Sequence, residues 1–225
     1  MNNYICTNKT INYKEELEKI INSKKQEILD FFEVNDNNQF TFDIYIYNTI
    51  EDLVKGMRER GFDDMPSYMC ACHKDEDNSL NFFEPSDIPN ENEWSKDEYE
   101  NVIYHELIHG IQYTIYGTQP EWLTEGVAKY LDGTYKSGIK YLLQNYINGN
   151  RIPPIEELEE EFGLFDYDSY DYAYLMVSYL IDTQGKKEFL EIISDKNKLT
   201  EMSNDLPNKA INYYNEMFFS KRSNK

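Results

Sequence analysis

From Lys14 to Val34 the apolar residues Leu17, Ile20, Ile21, Ile28, Phe31 and Phe32 recur at helical spacing, with charged residues between them. Asn35-Asp36-Asn37-Asn38 breaks that period. The pattern then changes from 3.6 to 2: Phe40, Phe42, Ile44 and Ile46 alternate with Thr41, Asp43, Tyr45 and Tyr47, which predicts a strand buried on one face. A helix follows, with Thr49 as its N-cap, Glu51 and Asp52 in its first turn and Gly61 as its stop. The first 61 residues therefore read helix, strand, helix. Residues 66–87 read as two short strands around the polar turn Lys74–Asn78, a hairpin.

A long helix is expected next. Ser95 is a suitable N-cap, Glu98 stands three residues on at the capping-box spacing, and Gly117 marks the end. Val102, Ile103, Leu107, Ile111 and Ile115 give it a buried side. From Trp122 onward the pattern is mostly helical, in segments 121–133, 138–149, 172–185, 186–194 and near 208–219. A Pro-opened acidic connector, residues 150–171, carries one short helix. The fold class is α+β: a small mixed sheet with helices, then a helical half. No stretch is polar enough to separate the two, so one domain is expected over 1–225, with an α/β lobe over about 1–117 and a helical lobe over about 118–225.

Composition narrows the function. The net charge of −20 excludes nucleic acid and anionic membrane surfaces as partners, since both attract basic patches. Such charge either solvates the surface or forms an acidic groove that draws basic peptides. No apolar run is long enough to span a bilayer, and the first residues lack the apolar core of a secretion signal, so a cytoplasmic location is expected. Three cysteines make no disulfide scaffold. Cys70 and Cys72 share one strand face, where packing is the ordinary role of thiols although a C-x-C pair can hold metal.

The candidate chemistry lies on the long helix. Only three histidines occur in the chain, and two of them, His105 and His109, stand four apart with Glu106 between them. At 3.6 residues per turn both imidazoles point the same way and can converge on one ion, while Glu106 lies about 100° round the helix. This is the H-E-x-x-H arrangement, and two imidazoles suit Zn²⁺. A catalytic zinc needs three protein ligands and one open position. Glu125, 16 residues beyond His109 on a second helix, can supply the third if that helix packs back antiparallel. Trp122, Leu123 and Ala128 would fix its aim, and Gly126 would let backbones approach closely.

His-Glu-Leu-Ile-His followed by Trp-Leu-Thr-Glu-Gly-Val-Ala-Lys-Tyr resembles the gluzincin metallopeptidases, the peptidase MA-like domain, and is similar to the catalytic core of the M1 aminopeptidases. The likeness spans roughly residues 65 to 195. It implies a zincin-like domain with an active-site helix, one zinc ion on His105, His109 and Glu125, and Glu106 as the general base of peptide hydrolysis. It further implies a tyrosine donor to the developing oxyanion. Counting back ten residues from Leu180 gives Tyr170, with Tyr172 as the alternative. Zincin sheets present an edge strand along which an extended peptide adds, and Ser67–His73 is the candidate. His73 at its end is either a further metal or transition-state residue or a turn histidine without such a role. The G-x-M-E-N segment that captures a free α-amine in the M1 enzymes is missing, which favours internal cleavage. Peptide or protein substrates are the expected partners. The alternatives are a non-catalytic module braced by its metal, and a zinc hydrolase of a non-peptide amide.

Overall fold

The computed structural model describes residues 2–6, 10–35, 39–62, 71–85, 96–134, 138–160, 162 and 169–219. Its contacts group into two compact units, Met1–Thr118 and Gln119–Lys225. Among the described residues no helix is long and apolar enough to cross a membrane.

The first unit runs β1 (Asn3–Cys6), α1 (Ile11–Phe31), β2 (Asp43–Tyr47), α2 (Ile50–Glu59), β3 (Ala71–Lys74), β4 (Ser79–Phe83) and α3 (Lys96–Tyr116). The sheet has the order β1-β2-β4-β3. β2 pairs in parallel with β1 and with β4, while β3 closes the hairpin antiparallel to β4 and forms one edge. The expected alternation holds: Phe40, Phe42, Ile44 and Ile46 are all buried. Thr49 caps α2 as expected, its side chain accepting from the Asp52 N–H at 3.0 Å, and Gly61 takes the left-handed backbone that only glycine adopts without cost.

The two faces of the sheet carry different partners. Phe42 and Leu80 lie against Gly110 of α3: a Cβ there would stand 2.9 Å from the Phe42 ring. The absence of that atom lets α3 settle onto the sheet one residue after His109. On the opposite face Arg60 donates to Asn81 (2.6 Å), Ser79 (2.8 Å) and Asp77 (2.5 Å), and its guanidinium lies 3.7 Å from the Tyr45 ring centroid. These charge-assisted bonds satisfy the buried side chains of Asn81 and Ser79, which otherwise would cost free energy inside a sheet. They also tie the hairpin to the end of α2.

The second unit is helical: α4 (Glu121–Asp132), α5 (Gly138–Ile147), α6 (Ile155–Glu160), α7 (Ser169–Gln184), α8 (Lys186–Ser194), α9 (Lys196–Ser203) and α10 (Leu206–Phe219). α7 is its centre, with every residue from Tyr172 to Ser178 buried, and α4, α5, α8 and α10 pack on it. The α4–α7 contact is close at Gly126, where a Cβ would lie 2.5 Å from the Ala173 carbonyl oxygen.

Three features depart from the sequence reading. β1 was not anticipated; four residues with half-exposed alternation give no periodicity, and the strand exists because β2 offers a parallel ladder. α1 begins at Ile11, three residues before the charged periodic stretch. α9 was also missed, because Leu199 is its one buried residue and its start depends on the Asp195 side chain accepting from the Asn197 and Lys198 N–H groups. The Ser95 cap and the part of the edge-strand candidate up to Cys70 lie outside the described residues.

Candidate metal centre

The geometry begins with α3. Ile103, Leu107, Ile108 and Ile111 are buried completely, so the helix has a fixed rotation on its sheet. That rotation leaves His105 only 9% exposed, with Glu106 and His109 half-buried beside it. The Nε2 atoms of His105 and His109 lie 2.9 Å apart, and the rings meet edge to face with centroids 4.5 Å apart. Two imidazole lone pairs turned toward each other at this distance repel unless a proton or a cation stands between them.

Glu106 is aimed from the sheet. Its Oε2 accepts from the backbone N–H of His73 in the edge strand β3, at 2.7 Å. The His73 ring points elsewhere: Nε2 is 2.7 Å from Asn78 Oδ1, Nδ1 is 3.1 Å from Asp75 Oδ1, and the face leans on Tyr113.

Glu125 is held by α4. Trp122, Leu123 and Ala128 are buried as the sequence suggested, Val127 is buried with them, and Gly126 sets the approach to α7. Its Oε2 atom is itself buried. The helix start lacks a side-chain cap of its own at Pro120. Glu159 of α6 fills that role, accepting from the N–H groups of Glu121 (3.1 Å) and Trp122 (2.8 Å), where the helix dipole favours a carboxylate. Burial, then the charges of Glu125 and Glu159, raise the Glu121 carboxyl to about 6. Nothing in the acidic run Glu156–Glu161 singles out Glu159 as the cap, so sequence reading missed it.

Among the described residues, the group of His, Cys, Asp or Glu side chains that could hold a metal ion is His105, His109 and Glu125, whose ligand atoms lie within 4.8 Å of one another. Two imidazoles and one carboxylate form a donor set that suits zinc, and the facing Nε2 pair is relieved by a cation. The residues fit such an ion. Neither Cys72 nor His73 joins the group.

Tyr170 and Tyr172 separate clearly. Tyr172 is buried (7% exposed) within α7, whereas Tyr170 is 36% exposed. The Tyr170 ring packs edge-on against Phe162, and Lys129 Nζ, one turn beyond Glu125 on α4, lies 5.5 Å from its centroid.

Among curated proteins none matches the chain. A family model described as Peptidase MA superfamily matches residues 34–207, which spans strands β2 to β4 of the sheet, α3 with its His-Glu-Leu-Ile-His stretch, and α4 through α9. The chain belongs to the Peptidase MA superfamily and has a metallopeptidase-like fold.

Proposed function

We propose that this protein is a zinc-dependent metallopeptidase, one that cuts peptide bonds internally. The single observation that carries the reading is the approach of ligand atoms from His105, His109 and Glu125 to within 4.8 Å of one another. These three residues would hold one zinc ion. When bound, zinc supplies Lewis acidity and lowers the pKa of a coordinated water to about 7.

The chain's own groups have distinct tasks. Glu106, next to His105 and oriented by the His73 N–H, accepts the proton of the attacking water and returns it to the leaving amine. Tyr170, whose ring is accessible beside α4, donates to the oxygen on which negative charge develops. Tyr172 is too deeply buried for that task. The edge position of β3 suits addition of an extended peptide by backbone hydrogen bonds, and the missing α-amine-capturing segment favours internal cleavage. A purely structural metal calls for a fourth protein ligand; among the described residues the candidate group has three members, and the His73 ring is engaged with Asp75 and Asn78.

The test is cleavage-site profiling on a mixed peptide pool, with and without chelator, alongside Glu106→Gln. Internal cuts that vanish with chelator and with Glu106→Gln, while the variant keeps its zinc, are the expected result. Protein that holds no zinc and cuts nothing after zinc is added would reject the proposal. Cleavage of small amides but not peptides would move the substrate class.

A further inference from the structure

The hairpin that borders α3 does more than close the sheet. Its turn residue Asn78 has a left-handed backbone (φ 49°) and uses both ends of its amide. Oδ1 faces the His73 ring at 2.7 Å, and Nδ2 donates to Thr114 Oγ1 of α3 at 2.9 Å. Thr114 in turn donates to the Gly110 carbonyl at 2.8 Å. His73 is thus gripped by Asp75 on Nδ1, by Asn78 on Nε2 and by the Tyr113 ring on its face. Its side chain is 4% exposed, so these groups leave it little freedom. From this fixed residue the backbone N–H reaches Glu106 Oε2 at 2.7 Å.

We propose that Asn78 and His73 are positioning residues for Glu106: the turn is pinned to α3 through Thr114, the His73 ring is pinned to the turn, and the His73 N–H then orients the Glu106 carboxylate. The inference rests on the metallopeptidase reading, in which Glu106 handles the proton. Neither side chain touches the reacting atoms. The His73 N–H engages Oε2 and leaves Oε1 for proton transfer, so the base keeps one oriented oxygen while water attacks. Reach and direction matter here, because a base works when it lies within about 2.6–3.2 Å of the atom whose proton it takes.

Asn78→Gly and Asn78→Asp test the proposal. Glycine tolerates the left-handed backbone but removes both amide contacts, whereas aspartate keeps an acceptor for the His73 ring. Each variant is compared with the wild type for folded content, zinc content, and kcat and KM on a cleaved peptide. Asn78→Gly should lower kcat on the order of 10- to 100-fold, the effect of a misplaced catalytic group, with KM within about twofold and zinc content unchanged. Asn78→Asp, which keeps an acceptor for the His73 ring but loses the donation to Thr114, should recover part of the loss. A second readout, in zinc-free and zinc-loaded protein, is the NMR signal of the His73 amide. It should lie downfield in the wild type, move upfield in Glu106→Ala and in Asn78→Gly, and lie between those positions in Asn78→Asp. Unchanged kcat in Asn78→Gly, or a loss that merely follows zinc or folded content, overturns the proposal. So does a His73 amide signal indifferent to Glu106→Ala. A wild-type protein that cuts no peptide overturns the catalytic reading and any role of the clamp in catalysis, and the amide signal then shows separately whether His73 holds Glu106.

Discussion

Gly126→Ala places two known effects in opposition, and the structure decides between them. In a solvent-facing helix, glycine to alanine stabilises by about 0.8–1.0 kcal/mol through backbone entropy. At Gly126 the new Cβ would stand 2.5 Å from the Ala173 carbonyl oxygen, 2.6 Å from Val177 Cγ2 and 2.9 Å from the Ala173 carbonyl carbon. Ordinary contact begins at 3.4 Å, so α4 and α7 must part by about 0.9 Å (3.4 − 2.5). Two of the three obstructing atoms are backbone in the middle of a buried helix and cannot swing aside. Overpacking of this kind costs typically 1–3 kcal/mol, and a backbone obstruction puts it near the top. With the helix-propensity gain subtracted, the variant should lose about 2 kcal/mol. For a chain of this size that is a fall in melting temperature of about 4–8 °C. The assay is thermal and urea unfolding of metal-free protein, followed by zinc titration, since the same displacement moves the neighbouring Glu125. A variant as stable as the wild type, or more stable, would refute the argument that contact at Ala173 outweighs propensity.

The remaining expectations concern the metal and charge. Zinc in 100-fold excess over its dissociation constant should stabilise the wild type by about 2.7 kcal/mol. His109→Ala and Glu125→Ala should each abolish that gain, as read by melting with and without chelator; a gain that survives either change would remove that residue from the ligand set. The raised Glu121 carboxyl makes a pH prediction with a definite sign. Between about 4.5 and 6 the folded chain holds a proton that the unfolded chain has released, so this group's contribution falls as pH rises through the window. Glu121→Gln should therefore gain relative to the wild type between about pH 4.5 and 6.5. Burial raises the Glu121 carboxyl, yet the residue as a whole keeps an exposed surface, so solvent screening limits the gain to about 0.5 kcal/mol, measured as the difference between two urea-unfolding series. Asp77 should have the opposite slope. Burial alone would raise its carboxyl, but bonds from Ser79 and Arg60 and the charges of Arg60 and Lys74 bring it below the usual value. Its contribution is present near neutrality and lost as pH falls below about 4, so Asp77→Asn should be penalised at pH 7 and nearly neutral in acid.

Much was legible in the residues themselves. Helical spacing put His105 and His109 on one face, the period of 2 named the buried side of β2, and Gly126 was recognised as the point of close helix approach. Those features are local: they depend on backbone periods that every stretch of chain obeys and on side chains that a neighbour must exclude or accept. β1 and α9 were not legible, because four or eight residues with little buried surface are held by what they meet rather than by their own pattern.

The amino-acid order alone determined which helices carry the ligand types and in what rotation, since 3.6 residues per turn admits no other placement of positions 105, 109 and 125 on their helices. Only the tertiary structure decided that Glu159 would cap α4, that the His73 N–H would hold Glu106, and that Tyr170 rather than Tyr172 would stay accessible. Each of those outcomes joins residues far apart in the chain, or depends on which side of a helix its neighbours cover. A hydrogen bond of about 3 Å is set by packing of whole elements, and no spacing within one element encodes it.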